Sequence, residues 1–236
     1  MSGHSKWATT KRAKSATDAK RGALFTKLSK AVTIAARLGG GDPSANFRLR
    51  LAIDQAKFAN VPKDNIERAI KRGTGELAGG IIEQITYEGF GPGGSAIIIE
   101  CLTDNRNRTA ASIKHILTKY GGSFGGPNSV AWMFEQKGVI NIAKISDDLE
   151  LELIDAGSLD IIKDSDTVTI YTKPNDLKKI KELLEKKGTV IQNAEIEQVA
   201  KEKKELTGEV KEKLEKLFTD LDEDEDVNNY YTDAEA

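Results

Sequence analysis

The sequence has very few residues of the types that form disulfides and zinc sites. It contains one cysteine, Cys101, and two histidines, His4 and His115. A single cysteine excludes an internal disulfide framework and is typical of a protein in a reducing compartment. A structural zinc ion takes four ligands, mostly Cys and His, so the three such residues in the chain exclude a site of that kind. We therefore expect no metal and no cofactor.

Long apolar segments are also missing. No purely apolar run is longer than five residues, whereas a helix that spans a bilayer needs about 20 apolar residues. Residues 1–7 lead into basic and polar residues, without the apolar stretch that a secretory signal requires. The sequence therefore predicts a cytoplasmic protein that does not contact a membrane.

The chain as a whole has almost no net charge, because 35 Lys+Arg balance 37 Asp+Glu and leave −2. The balance hides a gradient: residues 1–72 carry +11, residues 73–134 carry −1, residues 135–205 carry −4, and residues 206–236 carry −8. Clustered Lys and Arg in one part of a chain are typical of nucleic-acid binding, since contacts with phosphates release condensed counterions. The gradient predicts that the N-terminal part binds nucleic acid.

The first 75 residues are predicted to form a basic domain of three helices. Apolar residues recur at helical spacing over residues 20–38. The charged flank of this helix is expected to carry Lys27, Lys30 and Arg37. Asp42-Pro43 is expected to open the second helix, because proline fits the first helical position. The third helix follows Val61-Pro62, and Gly73 is expected to end it.

The rest of the chain predicts an α+β protein with two α/β sandwich-type domains after the helices. Strands are expected at residues 81–87, 95–102 and 130–134, with a helix at residues 109–120. From Gly138 onward the element order is βαββαβ, which is typical of the ferredoxin-like fold. A short strand at residues 227–231 has no local partner, so we expect it to return to the sheet that begins at Ile81.

These patterns predict three domains, one of them inserted in another. Residues 1–75 form the basic helical domain. Residues 76–134 plus 206–236 form a discontinuous α+β middle domain. Residues 135–205 form the ferredoxin-like domain, which interrupts the middle domain.

Residues 89–94 match the G-x-G-x-x-G fingerprint of dinucleotide-binding proteins, but their context does not fit. That fingerprint opens a helix whose N-terminus receives the pyrophosphate, whereas these residues open a predicted strand. We interpret the segment as a tight hairpin that needs glycine backbone angles and a close approach of neighbouring groups. The glycines concerned are Gly89, Gly91, Gly93 and Gly94.

Two arginines, Arg106 and Arg108, lie at the start of the helix predicted after the second strand. The dipole and the free N–H groups of a helix N-terminus favour an anion, so cations are unfavourable there unless they bind one. We interpret the pair as a phosphate-contact site. The alternative is a solvated turn in which Asn107 or Thr109 caps the helix.

The other predicted nucleic-acid-binding residues lie in the helical domain. Residues 5–21 combine a run of lysines and arginines with one aromatic residue, Trp7, which either stacks on a base or anchors the core. For each lysine the alternative is a solvated helix face. The complete predicted set is Lys6, Trp7, Lys11, Arg12, Lys14, Lys20, Arg21, Lys27, Lys30, Arg48, Arg50, Lys63, Arg68, Lys71, Arg72, Arg106 and Arg108.

No catalytic site is predicted. The sequence has no G-x-S-x-G motif, and Cys101 lies in an apolar strand where a buried, unreactive thiol is expected. His115 lies within a predicted helix among apolar residues, and the acidic run at residues 222–226 is expected to be solvated. Because nothing assembles a nucleophile, a base and an oxyanion site, we expect no enzymatic activity and no small-molecule substrate.

Several longer segments together resemble the YebC/PmpR family, over at least residues 2–134. The clearest are Gly3-His4-Ser5-Lys6-Trp7, Gly39-Gly40-Gly41-Asp42-Pro43, Pro62-Lys63-Asp64-Asn65-Ile66-Glu67-Arg68, Tyr87-Glu88-Gly89-Phe90-Gly91-Pro92-Gly93-Gly94 and Thr103-Asp104-Asn105-Arg106-Asn107-Arg108-Thr109. The sequence departs from the family at residues 11–14, where the family usually has Lys-His-Arg-Lys and this chain has Lys-Arg-Ala-Lys.

The resemblance implies a fold and a function. The implied fold is a helical N-terminal domain, a middle domain completed by the C-terminal segment, and an inserted ferredoxin-like domain. Members of the family are described as probable DNA-binding transcriptional regulators. Relatives, including the mitochondrial translational activator of cytochrome oxidase, act on the ribosome.

The sequence thus predicts a non-enzymatic cytoplasmic regulator of gene expression that binds nucleic acid, of the DNA-binding transcriptional type. The first alternative is a translation factor that binds the ribosome, ribosomal RNA or tRNA. Such binding needs shape and backbone contacts, and no predicted helix shows the cluster of Arg, Asn or Gln that base readout requires. The second alternative is a protein-interaction scaffold whose basic domain docks on an acidic segment.

Overall fold

The computed structural model describes residues 18–235, with side chains from residue 21 onward, and its first three elements are helices. Helix α1 spans Asp18–Gly39, α2 spans Phe47–Phe58 and α3 spans Lys63–Thr74. Buried apolar side chains from all three helices pack into one cluster, which includes Val32, Leu49 and Ile66. The predicted three-helix arrangement is confirmed.

The second helix begins later than the predicted start at Asp42-Pro43. Asn46 caps α2, because its side-chain oxygen accepts a hydrogen bond from the N–H of Leu49 at 3.0 Å. Asp42 instead accepts a hydrogen bond from the N–H of Ser44 at 2.8 Å in the preceding turn. A side chain that satisfies a free N–H of the first turn defines the helix start here.

Gly73 does not end α3, contrary to the prediction. The helix continues to Thr74, and Gly75 then adopts the left-handed conformation with φ of 86°. Gly73 lies where α3 crosses α1: a Cβ atom added to it would lie 2.4 Å from the carbonyl oxygen of Thr33. This glycine therefore permits the two helices to approach closely.

The elements that follow the helices build two four-stranded sheets. In chain order they are β1 (Glu83–Phe90), β2 (Ala96–Thr103), α4 (Arg106–Lys119), β3 (Ser123–Phe124), β4 (Phe134–Ile142), α5 (Asp147–Ala156), β5 (Ser158–Lys163), β6 (Val168–Thr172), α6 (Leu177–Lys186), β7 (Ile191–Ala200), β8 (Lys204–Glu205), α7 (Gly208–Glu223), β9 (Val227–Thr232) and β10 (Ala234–Glu235). The short strands β8 and β10 pair in parallel.

The first sheet, called the middle sheet below, has the strand order β3-β1-β2-β9. Strand β9 pairs antiparallel with β2, with Tyr231 opposite Ile98. Side chains of α4 and α7 pack on one face of the sheet, where Ile99, Leu117 and Leu217 belong to one buried cluster. The predicted return of residues 227–231 to this sheet is confirmed, while the predicted domain limits stay a prediction.

The second sheet has the strand order β5-β6-β4-β7, and all of its pairs are antiparallel. Helices α5 and α6 pack on one face, where Ile140, Leu153 and Leu184 belong to a single cluster. The βαββαβ order with two helices on one face is the predicted ferredoxin-like arrangement, which is confirmed. Strands β4 to β7 with these helices are called the ferredoxin-like domain below.

The strand predicted at residues 130–134 is wrong. Ala131–Met133 forms a single 3-10 turn, and β4 begins only at Phe134. The carboxylate of Glu88 accepts hydrogen bonds from the N–H groups of Val130 and Ala131, each at 2.8 Å. These N–H groups are therefore unavailable for a strand ladder, although the residues themselves are apolar.

Three glutamates meet where the middle sheet approaches β7. Desolvation and the charge of Glu195 raise the pKa of Glu100 in β2 to about 7. Desolvation, followed by the charges of Glu195 and Glu100, raises the pKa of Glu197 well above its usual value. Glu195 accepts hydrogen bonds from Gln55 of α2 at 3.1 Å and from Asn193 at 2.7 Å. This three-glutamate cluster therefore joins the helical region to both sheets.

Candidate nucleic-acid interface

The outer face of α3 carries four exposed cations in two adjacent columns. Residues four apart lie on one side of a helix. Arg68 therefore aligns with Arg72, and Lys63 aligns with Lys71 two such steps further along the helix. The opposite side of α3 is buried. Lys63, Arg68, Lys71 and Arg72 are called the α3 face below.

Two cations of the α3 face have no partner in the described part of the chain. Within residues 18–235, the side chains of Lys71 and Arg72 make no hydrogen bond and no ion pair. Arg68 donates to the side-chain oxygen of Asn65 at 3.0 Å, and Lys63 lies 3.5 Å from the carboxylate of Glu67. Such groups can bind a phosphate without first breaking a strong internal ion pair.

Two predicted cations of α1 face the interior instead. Lys27 is only 6% exposed, and its ammonium donates to the carbonyl oxygen of Asp222 at 2.6 Å. Lys30 donates to the carbonyl oxygen of Glu225 at 3.0 Å and to Oδ1 of Asp226 at 2.9 Å. The prediction that Lys27 lies on the exposed flank of α1 is wrong, because the acidic C-terminal segment covers that flank.

Asp226 is the carboxylate on which these contacts converge, and its side chain is 7% exposed. Its Oδ2 accepts hydrogen bonds from Arg108 Nη2 at 2.7 Å and from Thr109 Oγ1 at 2.9 Å. Desolvation acts to raise the pKa of Asp226, but the hydrogen bonds from Arg108, Lys30 and Thr109 outweigh it and lower the pKa to about 2. Asp226 is therefore ionised at neutral pH.

The sequence pattern does not reveal this carboxylate. The prediction that the acidic run at residues 222–226 is solvated is wrong for Asp226, which is buried. The one local signal is the position of Asp226 directly before the buried Val227, at the start of β9. The partners of Asp226 lie in α1 and α4, far away in sequence.

Arg106 and Arg108 are both held by acids of the chain itself. Arg106 pairs with Glu83 of β1, and Arg108 pairs with Asp226 and, at 3.0 Å, with Asp104. Asn105 caps α4 by accepting the N–H of Arg108 at 3.1 Å, in place of the predicted caps. The phosphate-contact role of this pair stays a prediction, and it requires a phosphate to replace a carboxylate.

The remaining predicted cations are spread over several places. Arg48 donates to Oε1 of Gln84 at 2.5 Å, and Arg50 pairs with Glu182 at 3.1 Å. Arg21 is exposed near the start of α1. The following lie outside the described residues: Lys6, Trp7, Lys11, Arg12, Lys14 and the side chain of Lys20. Both interpretations of Trp7 therefore stay predictions.

The glycine-rich segment forms the predicted hairpin between β1 and β2, and the dinucleotide fingerprint is a chance match. Gly93 and Gly94 each have φ of 69°. A Cβ atom on Gly93 would lie 2.8 Å from a side-chain atom of Val210 in α7. On Gly89 it would lie 2.6 Å from a carbonyl oxygen of β3, and on Gly91 2.7 Å from a side chain of β2. These close approaches are therefore made within the chain.

The described residues show no sign of a reactive thiol, a metal site or a membrane-spanning helix. Cys101 is fully buried, and burial raises the pKa of its thiol. Within residues 18–235, no group of three or more His, Cys, Asp and Glu residues could hold a metal ion. None of the helices in this part of the chain combines the length and the apolarity that crossing a membrane requires.

Two domain families match the chain and together cover most of it. Residues 5–76 match the TACO1/YebC protein N-terminal domain, and residues 82–234 match the TACO1/YebC second and third domain. The chain belongs to the TACO1/YebC family. The fold of this TACO1/YebC chain is similar to the crystal structure of Aq1575, a conserved hypothetical protein from Aquifex aeolicus. That similarity has a TM-score of 0.84 and 42% identity over 92% of this chain and 91% of the other.

Relatives of this TACO1/YebC chain are similar over its full length. The protein CT1665 from Chlorobaculum tepidum is 52% identical over 100% of this chain and 95% of its own length, and is named a probable transcriptional regulatory protein. Teth39_1009 from Thermoanaerobacter pseudethanolicus has the same description and is 48% identical over 100% of this chain and 97% of its own length.

Proposed function

We propose that this TACO1/YebC chain is a non-enzymatic regulator of gene expression that binds nucleic acid through its helical region. The main support for this proposal is the α3 face, which presents four exposed cations on one side of a short helix. The side chains of two of these cations make no hydrogen bond or ion pair with the described residues. Nucleic acids present dense phosphate charge, and release of counterions makes such contacts favourable. Residues 1–20 are also rich in Lys and Arg, which adds to the positive charge of the N-terminal part of the chain.

Duplex DNA is the first target that we propose. Full-length relatives at about half identity are named probable transcriptional regulatory proteins, which supports a role in transcription. A regulator of this type needs a basic surface that positions it on the duplex through the backbone phosphates. The α3 face supplies cations for that positioning.

RNA is the second target, and the composition of α3 favours it. The exposed positions of this helix hold only Lys, Arg, Asp, Glu and Thr. The Asn and Gln side chains that typically read adenine in the major groove are absent from these exposed positions. A surface whose lysines and arginines contact backbone phosphates, without an amide that reads adenine, also suits structured RNA such as ribosomal RNA or tRNA.

The α3 face can be tested with two matched sets of substitutions. One variant carries Lys63→Gln, Arg68→Gln, Lys71→Gln and Arg72→Gln. The control carries Lys144→Gln, Lys173→Gln, Lys178→Gln and Lys186→Gln, which remove the same charge from exposed positions of the ferredoxin-like domain. Affinity for a DNA duplex and for a folded RNA is measured at several salt concentrations.

The α3 variant is expected to weaken binding and to reduce the slope of log affinity against log salt by about 3–4, roughly one per lost phosphate contact. The control is expected to keep the wild-type slope. Equal slopes for both variants contradict the α3 face as the interface. A wild-type chain that binds neither nucleic acid supports the scaffold alternative instead. The preferred target is the nucleic acid whose binding survives at the higher salt concentration.

A further inference from the structure

We propose that Trp132 stacks on an unpaired base, so that the chain binds a single-stranded segment of nucleic acid at a second place, away from the α3 face. The inference rests on the proposed nucleic-acid binding and specifies its substrate class. Trp132 lies in the Ala131–Met133 turn that leads into β4.

The indole of Trp132 is unusually exposed. Its side chain is 67% exposed, although tryptophan has one of the largest apolar surfaces of any residue. Single exposed apolar residues are common on protein surfaces, so exposure alone does not identify a site. The structure of the supporting loop supplies the further argument.

A network of hydrogen bonds to Glu88 braces the loop that presents Trp132. The carboxylate of Glu88 accepts hydrogen bonds from the N–H groups of Asn128 at 2.7 Å, Val130 at 2.8 Å and Ala131 at 2.8 Å. Desolvation acts to raise the pKa of Glu88, but these backbone hydrogen bonds outweigh it and lower the pKa. The carbonyl oxygen of Glu88 also accepts the N–H of Gly125 at 2.8 Å. The loop is therefore fixed to β1 before any ligand binds.

The hydrogen-bonding group of the indole is already used within the loop. Nε1 of Trp132 donates to the carbonyl oxygen of Ser129 at 3.3 Å. The ring is thereby oriented while most of its surface stays open to solvent. Stacking uses the π face of an aromatic ring and needs no hydrogen-bond donor, so this arrangement suits a base better than a polar partner.

A positive charge lies at the backbone of Trp132. The ammonium of Lys201 donates to the carbonyl oxygen of Trp132 at 2.7 Å, and the backbone N–H of Lys201 donates to Met133 at 2.9 Å. Lys201 is exposed and makes no ion pair with any residue from 18 to 235. An exposed aromatic ring, together with an unneutralised lysine bound to the backbone of the same residue, is a combination that can hold a base and its neighbouring phosphate.

The geometry selects single strands over duplexes. Within a duplex, both faces of every internal base are covered by its stacked neighbours, so a protruding indole has no base face to contact. Unpaired bases in loops and single strands expose those faces, and stacking on aromatic side chains is the usual way in which proteins bind them.

Tryptophan fluorescence tests the contact directly, because the chain has only two tryptophans. In the full-length Trp7→Phe variant, Trp132 is the sole tryptophan. A 12-residue single-stranded oligouridylate is expected to quench its emission in a saturable way, and a blunt duplex of equal length is expected to leave it unchanged. The readout does not depend on the folding of a Trp132 variant.

Affinity for a labelled oligouridylate is then compared among the wild type, Trp132→Ala and Trp132→Phe. Loss of the stacked ring is expected to weaken binding about 5- to 150-fold, which corresponds to the usual 1–3 kcal/mol for one base, and phenylalanine is expected to restore part of it. Leu159→Ala, which truncates an exposed apolar side chain of the ferredoxin-like domain, is the control and is expected to change nothing.

Several results would overturn the inference. Unchanged affinity in Trp132→Ala, or unchanged emission at saturating oligouridylate, shows that the ring contacts no base and leaves a protein surface as its partner. Equal quenching by the duplex contradicts the selection of single strands. If these results appear while the α3 variant still loses affinity, the inference fails and the proposed function stands. If the wild type binds no nucleic acid, both fail.

Discussion

A single carboxylate, Asp226, neutralises cations from two separate helices. It binds Lys30 of α1 and Arg108 of α4 while its own side chain is 7% exposed. Removing one partner of a buried ion pair costs more than the pair itself contributes, because the remaining charges lose their compensation. The contacts of Asp226 therefore help to fix the helical region against the middle sheet.

Asp226→Asn is expected to lower the free energy of unfolding by about 3 kcal/mol, the low end for a buried ion pair, because Arg108 is 55% exposed. Urea denaturation at pH 7 measures this. Asp104→Asn, which removes the exposed partner of Arg108, is the control and is expected to cost less than about 1 kcal/mol. Equal losses in the two variants would show that Asp226 has no special role.

The loss of unfolding free energy expected for Asp226→Asn depends on pH. The pKa of Asp226 is about 2 in the folded chain and is expected near 3.8 after unfolding, so the unfolded state binds the proton first. Its stabilising contribution is present above pH 3.8 and disappears as the pH falls toward 2. The difference between wild type and Asp226→Asn is therefore expected to shrink over that interval.

At the scale of elements, the crossing of α1 and α3 depends on Gly73. Gly73→Ala is expected to destabilise the chain by about 1–3 kcal/mol, because the new Cβ would lie 2.4 Å from a backbone oxygen that cannot move freely. Gly22→Ala, in α1 with nothing within 4 Å of the new Cβ, is the control and is expected to stabilise by about 0.5–1 kcal/mol. Urea denaturation of both variants checks the two signs, and a neutral Gly73→Ala would contradict the close crossing.

Elements defined by local periodicity could be predicted from the sequence. Helix α1 and the βαββαβ order follow from apolar spacing, which each segment carries in itself. The strand predicted at residues 130–134 failed because its N–H groups bind Glu88, some 40 residues earlier. An apolar run shows that a segment packs, but it does not show which group takes its hydrogen bonds.

The positive charge of the candidate site could be predicted from the sequence, but the ion pairs that its cations form within the chain could not. The cations of α3 follow from the sequence, because the apolar positions of this helix assign the charged ones to its outer face. That Lys27, Lys30 and Arg108 bind the acidic C-terminal segment could not be predicted, because those contacts join residues more than 100 positions apart. Which cations remain available for a ligand is a tertiary property.

At the scale of the whole molecule, the three-glutamate cluster couples the packing of both sheets to pH. The pKa of Glu100 is about 7 in the folded chain and is expected near 4.5 after unfolding. Between those values the folded state retains a proton that the unfolded state has lost, so stability decreases as the pH rises. Arg48 acts in the opposite direction, by lowering the pKa of Glu100.

Glu100→Gln is expected to remove part of this decrease and to stabilise the chain at pH 8 relative to wild type, because a neutral side chain needs no proton. Thermal unfolding at pH 5, 6, 7 and 8 measures the effect. Glu202→Gln, at an exposed position, is the control and is expected to leave the profile unchanged. Parallel profiles for Glu100→Gln and wild type would show that the cluster does not titrate in this range.

The pairing of β9 with β2 has a consequence for how the chain is synthesised. By residue 200 all four strands of the ferredoxin-like sheet exist, whereas β2 lacks its neighbour until residues 227–232 have been made. During that interval, a strand containing three consecutive isoleucines has one open edge. Open apolar edges favour aggregation, so a chain that stops before residue 227 would have one complete sheet and one sheet with an exposed edge. Strand β9 therefore protects the nascent chain from aggregation by covering the edge of β2.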